Sequence, residues 1–183
     1  MEQKKLFISI PVDNFILKKI NKKLGNLNLP WDNIKVIKSE NIHITLKFLG
    51  DTPLEKIPTI IEALEEVSKE FNSFILEVDQ TAIFSKNNPR TLVLKFKKST
   101  ELNKLYNKIE EILYIEGISN KEQRQYKPHL TIARVRKHSE YQDFKDFLHW
   151  KISGNSEVSY LELIESELTK TGTEYTVLQT FDL

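Results

Sequence analysis

Residues 41–47 read NIHITLK and residues 127–133 read KPHLTIA, so the pattern His-apolar-Thr-apolar occurs twice in the chain. Each copy lies in an alternating run that is typical of a β-strand. Because successive side chains on a strand point to opposite faces, the His and Thr of each copy share one face and the apolar pair shares the other. We therefore expect two strands that pack inward through apolar side chains and present a polar pair outward. The polar residues are His43 and Thr45 in the first copy, and His129 and Thr131 in the second.

Two such strands facing each other would place two imidazoles and two hydroxyls around one reacting centre. Imidazole has an ordinary pKa of about 6.5, so near neutral pH one ring can donate a proton while the other accepts one. Threonine hydroxyls can donate hydrogen bonds to the non-bridging oxygens of a phosphate. The pattern therefore predicts hydrolysis of a phosphodiester, with His43 and His129 as catalytic residues and Thr45 and Thr131 as substrate-binding residues.

Basic residues surround the second copy of the pattern. Between positions 121 and 137 there are six Lys or Arg side chains and a single acid, Glu122. A solvated basic face would account for this charge equally well, but its place beside a repeated His motif favours an anion site. Lys127 shares the face of His129 by parity, so we predict that it binds substrate. Arg134 should face away on an ideal strand, and a bulge or the end of the strand would be needed to bring it back.

The order of predicted elements is strand, helix, two strands, helix, two strands, helix, strand, helix and two strands. That mixture predicts an α+β fold with largely antiparallel pairing and outer helices. The second helix is expected to begin after a cap at Asp51 or Thr52, with Pro53 in its first turn. The fourth is expected to begin at Ser139. The tail is expected to form strands over residues 158–168 and 173–181 around the turn at residues 169–172.

The composition and the absence of certain motifs exclude several classes of site. The chain has 183 residues, a net charge of +1 and no cysteine, which excludes disulfides and thiolate metal sites. No HExxH motif and no carboxylate cluster accompanies either histidine, so we predict no metal and no cofactor. No apolar run reaches the length of about 20 residues that a membrane span requires. We expect a cytoplasmic protein that does not associate with membranes.

The longer stretches NIHITLKFLGD and YKPHLTIARVR, together with the C-terminal residues 161–183, resemble the 2H phosphoesterase superfamily. Within it, the chain resembles the RNA 2′,3′-cyclic phosphodiesterase branch, also called 2′-5′ RNA ligases. The resemblance implies that residues 1–183 form a single domain of two intertwined lobes. It also implies two largely antiparallel sheets related by a pseudo-twofold axis, with both motifs lining a central cleft. Arg134 matches the arginine that follows the second motif in this branch.

The same resemblance implies a metal-independent reaction that opens terminal 2′,3′-cyclic phosphates of RNA to 2′-phosphomonoesters. Members of this branch also join or cleave 2′-5′ linkages between tRNA halves without ATP. We expect an RNA end as the partner, tRNA halves as one source of such ends, and action as a monomer. We predict that His43 is the acid that protonates the departing 3′ oxygen and His129 the base that activates water, although the sequence does not distinguish this assignment from its reverse. Two alternatives stay open, namely an RNA-end-binding module without turnover and a phosphodiesterase for another cyclic or 2′-5′-linked nucleotide.

Overall fold

The computed structural model describes residues 2–170 and 172–183, which contain nine strands and four α-helices. The helices are α1 (Asn14–Leu24), α2 (Ile57–Ser68), α3 (Thr100–Ile115) and α4 (Lys145–His149). The strands are β1 (Gln3–Pro11), β2 (Ile34–Val36), β3 (His43–Pro53), β4 (Phe74–Phe84), β5 (Thr91–Phe96), β6 (His129–Val135), β7 (Asn155–Val158), β8 (Tyr160–Thr169) and β9 (Gly172–Asp182).

All strand pairs within the described residues are antiparallel, and they form one path in the order β7-β4-β5-β6-β3-β1-β8-β9, with β2 also pairing with β6. The first four strands in this order end with β6 and the last four begin with β3, so the two strands that carry the His-x-Thr motifs are neighbours in the middle. The halves meet where β3 pairs with β6, at Ile44 opposite Leu130. The predicted α+β, antiparallel class is confirmed, and its two sheets are joined edge to edge at the two motif strands.

One hydrophobic core lies on a single side of this sheet and holds the helices. Ile20 of α1, Leu64 of α2 and Ile109 of α3 are fully buried in the same cluster as Ile44 and Leu130. The helices form because their apolar residues recur at helical spacing and face this cluster. Side-chain caps support two of them, since Asp13 accepts a hydrogen bond from the backbone of α1 and Ser99 from that of α3.

Three local predictions were wrong. β3 continues to Pro53, which pairs with Gln3 of β1, and α2 begins only at Ile57 after a 3-10 turn. Pairing with a distant strand therefore outweighed the local cap signal. Ser139 does not cap the fourth helix, because a 3-10 turn over Tyr141–Phe144, with a capping box formed by Glu140 and Asp143, precedes α4. The short strand β7 was missed. The two tail strands are present as β8 and β9, although the turn predicted between them includes Thr171, which lies outside the described residues.

Candidate active site

The pairing of Ile44 with Leu130 brings the two motifs into register. In an antiparallel pair, the neighbours of two opposed residues are also opposed. His43 therefore lies across from Thr131, and Thr45 lies across from His129. All four side chains point away from the buried face of Ile44 and Leu130, and all four are half-buried. We call the face of the sheet that carries these four residues the site face.

A bulge in β6 turns Arg134 onto the site face. Thr131 pairs with Val93 of β5, and Arg134 pairs with Thr91. Val93 and Thr91 are two positions apart on their strand and so share a face, whereas Thr131 and Arg134 are three positions apart. β6 thus contains one extra residue over this span. The bulge considered from the sequence is present, and Arg134 is exposed on the same face as Thr131.

The first motif contains a bulge at the equivalent place, but a different residue follows it. Thr45 pairs with Ser9 of β1, and Phe48 pairs with Phe7 two positions earlier on that strand. Phe48 therefore occupies in the first motif the place that Arg134 occupies in the second. Its side chain is 71% exposed. The two halves of the site face share their backbone geometry and differ in chemistry.

Each motif histidine is oriented by the backbone two residues before it. The Nδ1 of His129 lies 2.8 Å from the carbonyl oxygen of Lys127 and donates to it, since a carbonyl can only accept. The bond to Lys127 fixes the tautomer of His129 and leaves Nε2 of the neutral ring as the acceptor. The backbone of Asn41, two residues before His43, likewise favours the protonated form of that ring. In His43, Nε2 lies 3.1 Å from the Thr45 hydroxyl and forms a hydrogen bond with it.

Aromatic side chains hold both rings in place. Phe7 stacks on His43 with ring centroids 4.8 Å apart, and Tyr175 of β9 meets the same imidazole edge-on at 5.4 Å. Phe84 of β4 packs edge-on against His129 at 4.7 Å. These contacts restrict the rotation of both imidazoles and exclude water from their sides.

Both imidazoles are shifted toward the neutral form. Burial lowers the pKa of His43 to about 4, and the positive charges of Arg134 and His129 act in the same direction. Burial also lowers the pKa of His129, and the charge of Lys95 adds to that shift. The hydrogen bonds to the preceding carbonyls oppose both shifts. An anion bound between the rings would favour their protonated forms.

Lys95 is a site-face cation that sequence reasoning missed. It lies on β5 directly opposite His129, so its side chain shares the face of that imidazole. In the sequence it is one polar position of the run TLVLKF, and nothing local distinguishes it from a solvated lysine. Tyr175 was missed for the same reason, because its contact with His43 depends on pairing between strands far apart in the chain.

Lys127 contributes its backbone, and the prediction for its side chain stays a prediction. β6 begins at His129, so the alternation of a strand does not extend to Lys127. Its carbonyl orients His129, and its exposed side chain lies at the entry to that strand.

Two further contacts fix the segment that leads into His129. The Tyr126 hydroxyl donates to the backbone carbonyl of Thr45 over 3.0 Å, which ties the second motif to the first. The ammonium of Lys47 is buried beside Glu110 of α3, at 2.9 Å from Oε2, and also donates to the carbonyl of Asn120. The same carboxylate accepts from the backbone of Glu122. The segment from 120 to 126 is therefore anchored to both β3 and α3.

Within residues 2–170 and 172–183, no group of three or more His, Cys, Asp or Glu side chains is placed to hold a metal ion. None of the helices in the described part of the chain combines the length and the apolar character that crossing a bilayer requires.

Comparison with known proteins identifies relatives over nearly the whole chain. The family model described as 2′-5′ RNA ligase superfamily matches residues 33–169. The RNA 2′,3′-cyclic phosphodiesterase of Archaeoglobus fulgidus is 33% identical over 180 residues, which cover 97% of this chain and 99% of the relative. The protein of the same name from Aquifex aeolicus is 31% identical over 155 residues, which cover 81% of each chain.

Solved structures share the fold at lower sequence identity. The Thermus thermophilus protein TT0787 has a TM-score of 0.81 at 20% identity and covers 98% of this chain and 97% of that protein. E. coli LigT complexed with 3′-AMP has a TM-score of 0.80 at 22% identity and covers 100% of this chain and 99% of that protein.

Proposed function

Since the chain belongs to the 2′-5′ RNA ligase superfamily, we propose that it is an RNA 2′,3′-cyclic phosphodiesterase that opens terminal cyclic phosphates to 2′-phosphomonoesters. The observation that carries the proposal is the pairing of Ile44 with Leu130, which sets two imidazoles and two hydroxyls on one face. The relatives named above are RNA 2′,3′-cyclic phosphodiesterases and match most of the chain.

The proposed reaction is a single displacement at phosphorus. The oxygen of a water molecule forms a bond to phosphorus, and the bond from phosphorus to the 3′ oxygen breaks. Nε2 of His129 accepts a proton from the water, and Nε2 of His43 gives a proton to the departing 3′ oxygen. The 2′ oxygen keeps its bond to phosphorus, so the product is a 2′-phosphate. The two histidines end in exchanged protonation states, and proton exchange with solvent restores them.

Substrate binding is assigned to hydroxyls and cations on the site face. Thr45 and Thr131 would donate to the non-bridging oxygens of the cyclic phosphate, and Arg134 and Lys127 would be further anion contacts to the RNA backbone. Lys95 joins them because it lies opposite His129. Phe48 presents an exposed ring on the same face, where a nucleobase would stack.

The lowered pKa values of the two histidines predict a pH profile. Turnover requires one neutral and one protonated ring, so kcat/KM should follow a bell with its maximum midway between the two pKa values of the free protein. Burial places both below the ordinary value. The maximum of kcat/KM is therefore expected below pH 6.5, and that of kcat at higher pH, since bound phosphate favours protonated imidazole.

The proposal includes the kind of RNA and the working state of the protein. Any RNA with a 2′,3′-cyclic phosphate end would suit, tRNA halves among them, and an RNA 5′-hydroxyl replacing water would yield a 2′-5′ linkage. Both motifs come from one chain that we take as a single domain, which supports action as a monomer.

The direct test is incubation with a nucleoside 2′,3′-cyclic phosphate in EDTA, followed by separation of 2′- and 3′-phosphate products. We expect the 2′-phosphate alone. His43→Asn and His129→Asn should each remove most turnover, whereas the matched substitution at exposed His138 should not. A 3′-phosphate product, or full activity in either motif variant, would refute the mechanism. Binding of RNA ends without turnover would favour the binding-module alternative.

A further inference from the structure

The site face continues past the motifs into a pair of opposed cations. Lys35 is the central residue of β2 and pairs directly with Arg134 of β6. Residues directly opposite each other on adjacent strands share a face, so the Lys35 side chain joins Arg134 on the site face. Both side chains are exposed. Thr91 flanks Arg134 from its other side, on β5.

No carboxylate in the described part of the chain lies within ion-pair distance of either cation. Like charges directly opposite each other on adjacent strands are destabilising. The ion pairs formed among residues 2–170 and 172–183 involve other side chains, and neither Lys35 nor Arg134 takes part in one. An anion between the two would offset their repulsion, as is common where Lys and Arg bind phosphate.

The position of the pair relative to the motifs indicates which anion fits. Arg134 lies about 7 Å along β6 from Thr131, because the bulge leaves two strand steps between them. That distance is on the order of one nucleotide step in a single strand. The Lys35 ammonium reaches toward the other half of the sheet, 3.2 Å from where a Cβ on Gly172 of β9 would lie. The Arg134 charge acts on both His43 and Tyr175.

We infer that Lys35, together with Arg134, binds a second phosphate of the substrate, namely the one on the 5′ side of the terminal nucleotide. The inference rests on the proposed function and adds a specificity determinant to it. The site would distinguish the end of an RNA chain from a free nucleoside 2′,3′-cyclic phosphate, which has no 5′ phosphate. Phosphate contacts of this kind position the chain and leave the base unread.

The test compares two ligands that differ only in the 5′ phosphate. Nucleoside 2′-phosphate and nucleoside 2′,5′-bisphosphate are titrated into the wild-type protein, Lys35→Gln and Lys38→Gln by calorimetry. Lys38 is a matched control, since it is an exposed lysine outside the strand pairs. We expect the bisphosphate to bind wild type more tightly, K35Q to lose about fivefold of that affinity, and K38Q to behave as wild type. The monophosphate should bind all three proteins equally.

A salt titration adds a second readout. For the bisphosphate, the affinity should fall less steeply with rising salt in K35Q than in wild type, because one screened charge–charge contact has been removed. Equal binding of the two ligands by wild type, or equal losses in K35Q and K38Q, would overturn the inference. Because binding is measured with products, absence of turnover would count against the proposed function alone.

Discussion

Replacing His43 by glutamine is expected to flatten the dependence of stability on pH between pH 7 and pH 5. Burial lowers the pKa of His43 to about 4 in the folded protein, and in the unfolded chain the pKa returns to about 6.5. Across this window the unfolded state binds more protons than the folded state. The contribution of His43 is therefore fully present above pH 6.5 and is lost as the pH falls toward 4.

The size of the effect follows from those two pKa values. At pH 5 the ring would be protonated in the unfolded chain and neutral in the folded one. Between the two pKa values, each unit by which the pH falls lowers the free energy of unfolding by about 1.4 kcal/mol. The loss from His43 between pH 7 and pH 5 is then about 2 kcal/mol. With a urea m-value of about 2 kcal/mol/M, the midpoint moves by about 1 M.

Urea unfolding of wild type, His43→Gln and His138→Gln at both pH values is the assay. The free energy of unfolding should fall by about 2 kcal/mol less in H43Q than in wild type when the pH is lowered from 7 to 5. H138Q should behave as wild type, because His138 is exposed. If H43Q loses as much stability as wild type on acidification, the imidazole is not buried as described and the expected acidic optimum of kcat/KM falls with it.

Three further substitutions examine the surroundings of the site. Arg134→Gln should raise the pH of maximal kcat/KM in a pH-rate profile, because loss of its charge raises the pKa of His43; an unmoved maximum would contradict this. Phe48→Ala should raise KM about tenfold with kcat retained if the ring stacks on a base, and steady-state kinetics would reject stacking if only kcat fell. Glu110→Ala should cost about 3–5 kcal/mol in urea unfolding, because it leaves the Lys47 ammonium buried without its partner. The double substitution K47M/E110L should recover most of that loss, and failure to recover would contradict the ion-pair explanation.

The faces of the motif residues could be predicted from the sequence because alternation along a strand is a local property. His43 and Thr45 share a face whatever β3 pairs with, and the same holds for His129 and Thr131. Most helices and strands could also be predicted from the sequence, since helical and strand periodicity are properties of neighbouring residues. The start of α2 did not follow, because β1 extends the preceding strand to Pro53.

Arg134 marks the limit of local reasoning at the site. Arg134 is three residues after Thr131, so regular alternation along the strand predicts that the two side chains lie on opposite faces. The bulge in β6 opposite β5 places them on the same face. Nothing within HLTIARV announces that bulge, because it is defined by the partner strand. Lys35 and Lys95 are likewise recognised as site-face residues only because they pair with Arg134 and His129. The sequence gives the residue types, but the cross-strand neighbours of each residue depend on the pairing register of strands that are distant in the chain.

Acid–base catalysis requires one protonated and one neutral imidazole, and a fully symmetric pair would offer these two states in either order. Here the backbone is nearly symmetric and the side chains around it are not. His43 lies opposite Pro11 and His129 opposite Lys95, while Phe48 in one half stands where Arg134 stands in the other. One half of the site face therefore presents the exposed ring of Phe48, and the other presents the cations Lys95 and Arg134. A nucleotide is itself asymmetric, with a flat base at one end and phosphate at the other, so these differences would select one binding orientation. That orientation decides which histidine meets the 3′ oxygen, and hence which is the acid.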